Sequence, residues 1–188
     1  GNGASQAVYL RQNAGVIEYS VDATSGGSYT PISSGQWPVT INNTPSPGPS
    51  SILRVIVTTN LTFSNTYGDI SGNFITGSSY ITFDGSGNTI TISSVSLYPG
   101  FIRNGTSSVN GFANVVVQNF TTAMSSSTLA ANAGWLCQQY FGRNVLGNAI
   151  TGCTNSSTGL INGYYAGGIA GGYAGGSSGL ATFTNCTN

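Results

Sequence analysis

Apolar residues come in short runs of three to six positions with β-branched and aromatic character, and clusters of Gly, Asn and Ser separate the runs. Thr89-Ile90-Thr91-Ile92, residues 114–118 and residues 181–184 are examples. Alternation with period two is the pattern of a half-buried strand, and the separating clusters are turn chemistry. The helical period is nearly absent; residues 127–133 form the one stretch that predicts a short helix. Residues 16–21 and 37–41 predict two further strands, with turns at Gly26-Gly27 and Asn42-Asn43. Thr44-Pro45-Ser46-Pro47-Gly48-Pro49-Ser50-Ser51 predicts a stiff linker, and alternation resumes over 52–63.

The pattern repeats along the chain. Gly100-Phe101-Ile102 returns as Gly134-Trp135-Leu136 and, after an equal interval, as Gly168-Ile169-Ala170. A second series runs beside it: residues 117–121 return at 150–154 and again at 183–187, and Phe83 stands one such interval before Val117. Helical repeats of similar period need charged, Ala- and Leu-rich helices, which this chain lacks. The repeat therefore predicts an all-β parallel solenoid with coils of about 33–34 residues, stacked at ~4.8 Å. Its expected core columns are Phe101/Trp135/Ile169, Ile102/Leu136/Ala170, Val117/Ile150/Phe183 and Phe120/Cys153/Cys186. Residues 1–50 are expected to form an N-terminal β cap or edge hairpin ending in the Pro-rich linker, and 51–188 the solenoid itself.

Composition sharpens this picture. Gly, Ser, Thr and Asn account for about half of the sequence, and charged residues for 4%. Stacked coils select for this, because a charge would face its own copy one coil away. Arg11, Arg54, Arg103 and Arg143 balance Glu18, Asp22, Asp69 and Asp84, and there is no Lys and no His. Four scattered arginines exclude a basic nucleic-acid footprint. The absence of His removes the commonest general base and metal ligand; the absence of Lys removes Schiff-base chemistry and a P-loop lysine. With 39% apolar and 11% aromatic residues and no net charge, the chain has the composition of a folded protein. No run of ~18 apolar residues predicts a membrane span. The start, Gly1-Asn2-Gly3-Ala4-Ser5, has neither Met nor a signal pattern, as expected of a chain whose leader has been removed or of a piece of a longer one.

Candidate chemistry is sparse. Cys153 and Cys186 occupy equivalent positions in adjacent coils, within disulfide reach at ~5 Å; they are read either as such a pair or as buried thiols acting as small apolar groups. Cys137 is expected in the core, and no zinc site or His-activated thiol can be built. Asp69 and Asp84 are the only acids within the solenoid and stand less than half a coil apart, so a glycosidase pair on one face is not expected. Asp84-Gly85-Ser86-Gly87-Asn88 has one acid where a calcium loop needs several, and reads as a β-turn. Gly167-Gly168-Ile169-Ala170-Gly171-Gly172 lacks the helix and lysine of a phosphate loop. Ten tyrosines could stack on sugars or pack on neighbouring subunits. Thr-x-Thr rows suited to ice occur only at Thr89-Ile90-Thr91 and Thr182-Phe183-Thr184. Sequons start at Asn42, Asn60, Asn104, Asn119, Asn155 and Asn185, and these are the candidate glycosylation sites.

Residues 161–171, Ile-Asn-Gly-Tyr-Tyr-Ala-Gly-Gly-Ile-Ala-Gly, followed by residues 181–188, resemble the GLUG-type repeats of right-handed parallel β-helix proteins. In flavour they are similar to the set encoded by giant amoeba-infecting DNA viruses. There, segments like Trp37-Pro38-Val39-Thr40-Ile41, Ile52-Leu53-Arg54-Val55, Tyr98-Pro99-Gly100-Phe101-Ile102 and Gly134-Trp135-Leu136 with Tyr140-Phe141-Gly142 recur in order. The resemblance covers residues 16–188. It implies a right-handed helix, a member shorter than is typical, and a structural or surface role with no catalytic residues.

The last predicted coil ends at Cys186-Thr187-Asn188 without Pro, charge or a polar helix to close it. Three readings fit this edge: a longer protein, head-to-tail pairing with the next molecule, or fraying. The expected function is therefore that of a non-enzymatic structural protomer, self-assembling into an extracellular or virion-surface fibre, without cofactor or metal. The alternatives are a carbohydrate-binding or carbohydrate-cleaving β-helix, with glycans as partners, and an ice-binding solenoid.

Overall fold

The computed structural model describes residues 6–21, 27–64, 72–156, 165–176 and 178–188; the expected turn residue Gly26, Asp69 and residues 161–164 lie outside them. The described chain is all-β, with no α-helix and one 3₁₀ turn at Ser34–Gln36. Three parallel sheets carry it. The eight-stranded sheet contains β1 (Gln6–Asn13), β5 (Leu53–Val57), β8 (Ile81–Asp84), β11 (Val115–Gln118), β13 (Asn148–Thr151) and β15 (Ala181–Thr184) side by side. Two antiparallel strands, β2 (Val16–Ser20) and β3 (Thr30–Pro31), extend it beyond β1. The four-stranded sheet holds β6 (Leu61–Ser64), β9 (Thr89–Ser93), β12 (Thr121–Ser125) and β14 (Thr154–Asn155). The three-stranded sheet holds β4 (Val39–Ile41), β7 (Phe74–Thr76) and β10 (Ile102–Arg103). From β4 to β12 the chain visits the three-, eight- and four-stranded sheets in unchanging rotation.

Each strand alternates apolar side chains inward with polar ones outward. In β5, Leu53, Val55 and Val57 are buried while Arg54 is exposed; in β9, Ile90 and Ile92 are buried between Thr and Ser. The parallel registers align these inward positions: Val55 faces Phe83, Phe83 faces Val117, Val117 faces Ile150, and Ile150 faces Phe183. The expected period therefore holds from Phe83 onward, and the step from Val55 to Phe83 is shorter. An aromatic cluster fills the early interior: Phe74 and Phe101 approach edge-to-face at 5.2 Å, Trp37 and Phe63 at 5.3 Å, and Phe63 and Phe101 at 5.4 Å.

Four expectations are corrected. Ile102 lies opposite Cys137, and Cys137 opposite Ala170, so the column Ile102/Leu136/Ala170 is Ile102/Cys137/Ala170 instead. Phe101 donates its N–H to the Trp135 carbonyl at 3.2 Å, but Trp135 itself stacks on Tyr98 at 6.0 Å. The cause is a turn over 130–133. Tyr98 lies opposite Leu129 and Ile102 opposite Cys137, so the stretch 129–137 is longer than its counterpart 98–102 and the extra chain must loop out. That turn closes through Ala133 N–H to the Ala130 carbonyl at 3.2 Å, with Asn132 at φ 60°, and it replaces the predicted helix at 127–133. Phe183, expected in the core, is 45% exposed, whereas Val117 and Ile150 in the same column are fully buried. No described strand lies beyond β15 to cover it.

The parallel arrangement also starts before the expected boundary at residue 50, since β1 pairs with β5 and β4 with β7. The predicted linker is a loop tied at its base: buried Asn43 donates its side-chain amide to the Ser51 and Tyr80 carbonyls at 2.7 and 2.8 Å. At the head, Gln12 stands in for a missing strand beside β6. Its Oε1 accepts the Thr62 N–H at 2.8 Å and its Nε2 donates to the Thr62 carbonyl at 3.4 Å. The corner between the eight- and four-stranded sheets recurs as Asn119, Gly152 and Asn185, at φ 58°, 63° and 53°. This left-handed turn strains most residues, which favours Gly and Asn at these three positions; the corner between β8 and β9 uses Ser86 and Gly87 instead, at φ 51° and 77°.

Phe83→Ala is expected to lower unfolding free energy by about 3–5 kcal/mol. Phe183→Ala, at the exposed end of the same column, is expected to cost less than about half as much. Chemical denaturation of both variants checks this; equal losses would contradict the assigned register.

Candidate functional site

Chemistry-bearing side chains fall into three groups. The first surrounds Asp84 on the eight-stranded sheet, where Ile56, Asp84, Gln118, Thr151 and Thr184 form one outward column. Asp84 accepts the Ser86 N–H at 2.8 Å, the Gln118 amide at 3.1 Å and the Asn119 amide at 3.4 Å, and pairs with Arg54 at 3.2 Å. Burial by itself pushes the carboxyl up; the Ser86 N–H, the two side-chain amides and Arg54 together outweigh it and hold the group below its ordinary value. A carboxylate so satisfied neither holds nor releases a proton near neutrality. The Asn88 N–H bonds to the Gly85 carbonyl at 2.8 Å, which closes a β-turn at 85–88. Asp69, the second acid of the weighed pair, lies outside the described residues. Glu18 pairs with Arg11 at 2.5 Å, and the Arg11 guanidinium lies 3.6 Å from the Tyr29 ring centroid. Among the described residues no three His, Cys, Asp or Glu side chains gather into a metal-binding group.

The second group is the sulfur column. Thr154 lies opposite Thr187, which sets Cys153 beside Cys186 in neighbouring turns of chain. All three cysteines are free thiols. The Cys153 thiol donates to the Thr151 carbonyl at 3.5 Å, and Cys186 to the Ile150 carbonyl at 3.4 Å. Burial pushes Cys153 up to about 11 and Cys137 well above the ordinary thiol range, so both are poor nucleophiles. Gly167 faces Gly134 in the parallel stack, and a Cβ on Gly134 would come within 2.4 Å of the Ala170 carbonyl carbon. The glycine-rich run therefore serves close backbone packing.

The third group is a groove of about 550 Å³ on the outer face of the three-stranded sheet, lined by Arg103, Thr106, Gln138, Gln139 and Tyr140 among others. One wall is the loop after β10. Buried Asn104 holds its ends together: Oδ1 accepts the Phe112 N–H at 2.7 Å and the Thr76 hydroxyl at 2.8 Å, while Nδ2 donates to the Phe112 carbonyl at 3.0 Å.

Asn104 is the candidate glycosylation site that the structure removes; at 0% exposure with all these bonds made, it is a structural residue. Asn42, Asn60, Asn119 and Asn185 are exposed, and Asn155 is half-buried with its amide on Asn188 at 2.8 Å. Sequence reasoning missed a column of four outward threonines, Thr89, Thr121, Thr154 and Thr187, because it runs across strands rather than along one.

Comparison of the chain with protein-family models, curated proteins and solved structures finds no match. No helix of the described residues is long and apolar enough to cross a membrane.

A carboxyl held below its ordinary value stabilises the fold above that value, and the contribution disappears as pH falls through the native value. Wild-type stability is therefore expected to fall more steeply than that of Asp84→Asn between about pH 5 and pH 2. Parallel pH profiles from thermal unfolding would contradict the Asp84 network.

Proposed function

We propose that the chain is a β-solenoid, a right-handed parallel β-helix, that acts as a non-enzymatic structural protomer. Copies join head to tail into a fibre outside the cell or on a virion surface. The fixed rotation through three sheets supports the helical path, and the general preference of parallel crossovers supports its right hand. The GLUG-type resemblance points the same way.

One observation carries the assembly: among the described residues, apolar side chains stand uncovered at both ends of the stack. At the head, a cavity of about 360 Å³ is lined by Val8, Leu10, Tyr19, Val39 and Ile41. At the tail, Phe183 and Leu180 are exposed. An uncovered rung is a template for another chain, and core stacked on core buries both surfaces. Joining unlike ends propagates without closing. Charge favours that polarity. Residues 85–188 hold Arg103 and Arg143 with no acid, whereas residues 1–84 hold four acids against two arginines. Like ends repel and unlike ends attract. Pro31 on the outermost strand lacks an N–H, so contact at the head relies on the cavity and on β4 rather than on extending the eight-stranded sheet.

Sedimentation tests this with two surface variants. The wild-type chain is expected to form a concentration-dependent ladder of oligomers. Phe183→Asp at the tail and Tyr19→Asp at the head should each remain monomeric. Their equimolar mixture retains one good head and one good tail, and should stop at a dimer. A wild-type chain that stays monomeric, or a mixture that does not dimerise, overturns the reading.

A further inference from the structure

The groove beside β10 has a feature that the fibre does not explain. In a protein with only four arginines, Arg11 and Arg54 are paired with carboxylates, and Arg143 donates to the Asn110 side chain at 3.3 Å. Arg103 follows the fully buried Ile102 on β10, so it faces outward onto the groove. It is half-buried and makes no side-chain hydrogen bond, ion pair or ring contact with any described residue. Beyond Asp84 the chain contains no acid to approach it. A partly desolvated guanidinium that meets no carboxylate among the described residues is unfavourable, and in a chain that has nearly eliminated charge it calls for an external partner.

The surroundings restrict that partner. Gln138 is almost buried, and its Nε2 is fixed on the Gly100 carbonyl at 3.0 Å. The Thr106 hydroxyl accepts the Val109 N–H at 3.0 Å, which leaves its own proton for a ligand. Tyr140 packs one ring face on Tyr173, at 5.1 Å and 12°. Gly105 runs close to the Tyr140 backbone, where a Cβ would come within 2.7 Å of the Tyr140 carbonyl oxygen. The wall is rigid because buried Asn104 clamps it. A fork of N–H donors, a half-buried tyrosine, and fixed amides and hydroxyls in one groove match a sugar ring that carries a carboxylate. One arginine here is far too little charge for a nucleic-acid backbone. A bare inorganic anion would use neither the ring nor the volume.

We propose that this groove binds an acidic saccharide, a uronate-bearing oligosaccharide whose carboxylate pairs with Arg103 and whose ring lies on Tyr140. Calorimetric titration of the full chain with an oligogalacturonate tests it. Binding is expected, with Arg103→Ala weakening it about tenfold or more and Arg103→Lys falling between the two. Tyr140→Ala should weaken it several-fold, and Arg54→Ala on the other sheet should leave it unchanged. A neutral oligosaccharide of equal length should not bind. Circular dichroism confirms that each variant keeps its fold. Absence of uronate binding, an Arg103→Lys variant equal to wild type, or equal binding of the neutral sugar overturns the proposal. Acetate or sulfate binding as tightly as the oligosaccharide also overturns it, by reducing the site to an anion hole.

Discussion

Parallel stacking in register constrains everything else in this molecule. Each side chain in the body of the stack has a counterpart directly across the strand spacing of ~4.8 Å, drawn from the same position of the neighbouring segment. Such a column rewards like on like when the side chains are apolar, as in Val55/Phe83/Val117/Ile150. It tolerates hydroxyls, as in Thr89/Thr121/Thr154/Thr187. It penalises repeated charge. Arg54 and Asp84 escape that penalty because they stand diagonally: Arg54 faces Thr82, and Asp84 faces Ile56 and Gln118. The near absence of charge, the abundance of Thr and Asn outside, and the Asn/Gly corners are one consequence seen from three sides.

The same constraint decides what could be read from the sequence. The Val117/Ile150/Phe183 column was legible because strand and corner keep one length over two successive steps. The Phe101 series misled by one position, since a steady average concealed a long step, lengthened by the turn at 130–133, followed by a shorter one. The same turn carries the Ala-rich stretch that mimicked a helix, where local propensity lost to the demand for a tight corner. Asn104 read as a glycosylation candidate and Asn43 as a turn residue, yet both are buried amides that clamp loops; a residue type cannot reveal which side of the backbone it faces. Gln12 was invisible for a similar reason, as a side chain acting as a piece of strand has no sequence pattern. The Arg103 groove needs two loops from successive turns of chain, and no single segment encodes it.

The chemical poverty of the chain then becomes informative. Its carboxylates in view are saturated by arginine and amide partners, and its inner thiols are shielded by burial. What remains open among the described residues is geometric: the two ends of the stack, and one groove in which Arg103 meets no described carboxylate. On the reading proposed above, a scaffold that stacks and displays a groove at regular intervals makes use of both kinds of opening.

The central claim is the register itself, and a charge-reversal cycle at Thr151 and Thr184 tests it most directly. These two outward residues face each other across β13 and β15. The account predicts that Thr151→Lys combined with Thr184→Lys is less stable than the two single changes sum to. Thr151→Lys combined with Thr184→Glu is more stable than its singles sum to, with a coupling of about 0.2–1 kcal/mol in each direction. Additive effects at this pair, with coupling appearing instead between positions 151 and 185, would contradict it.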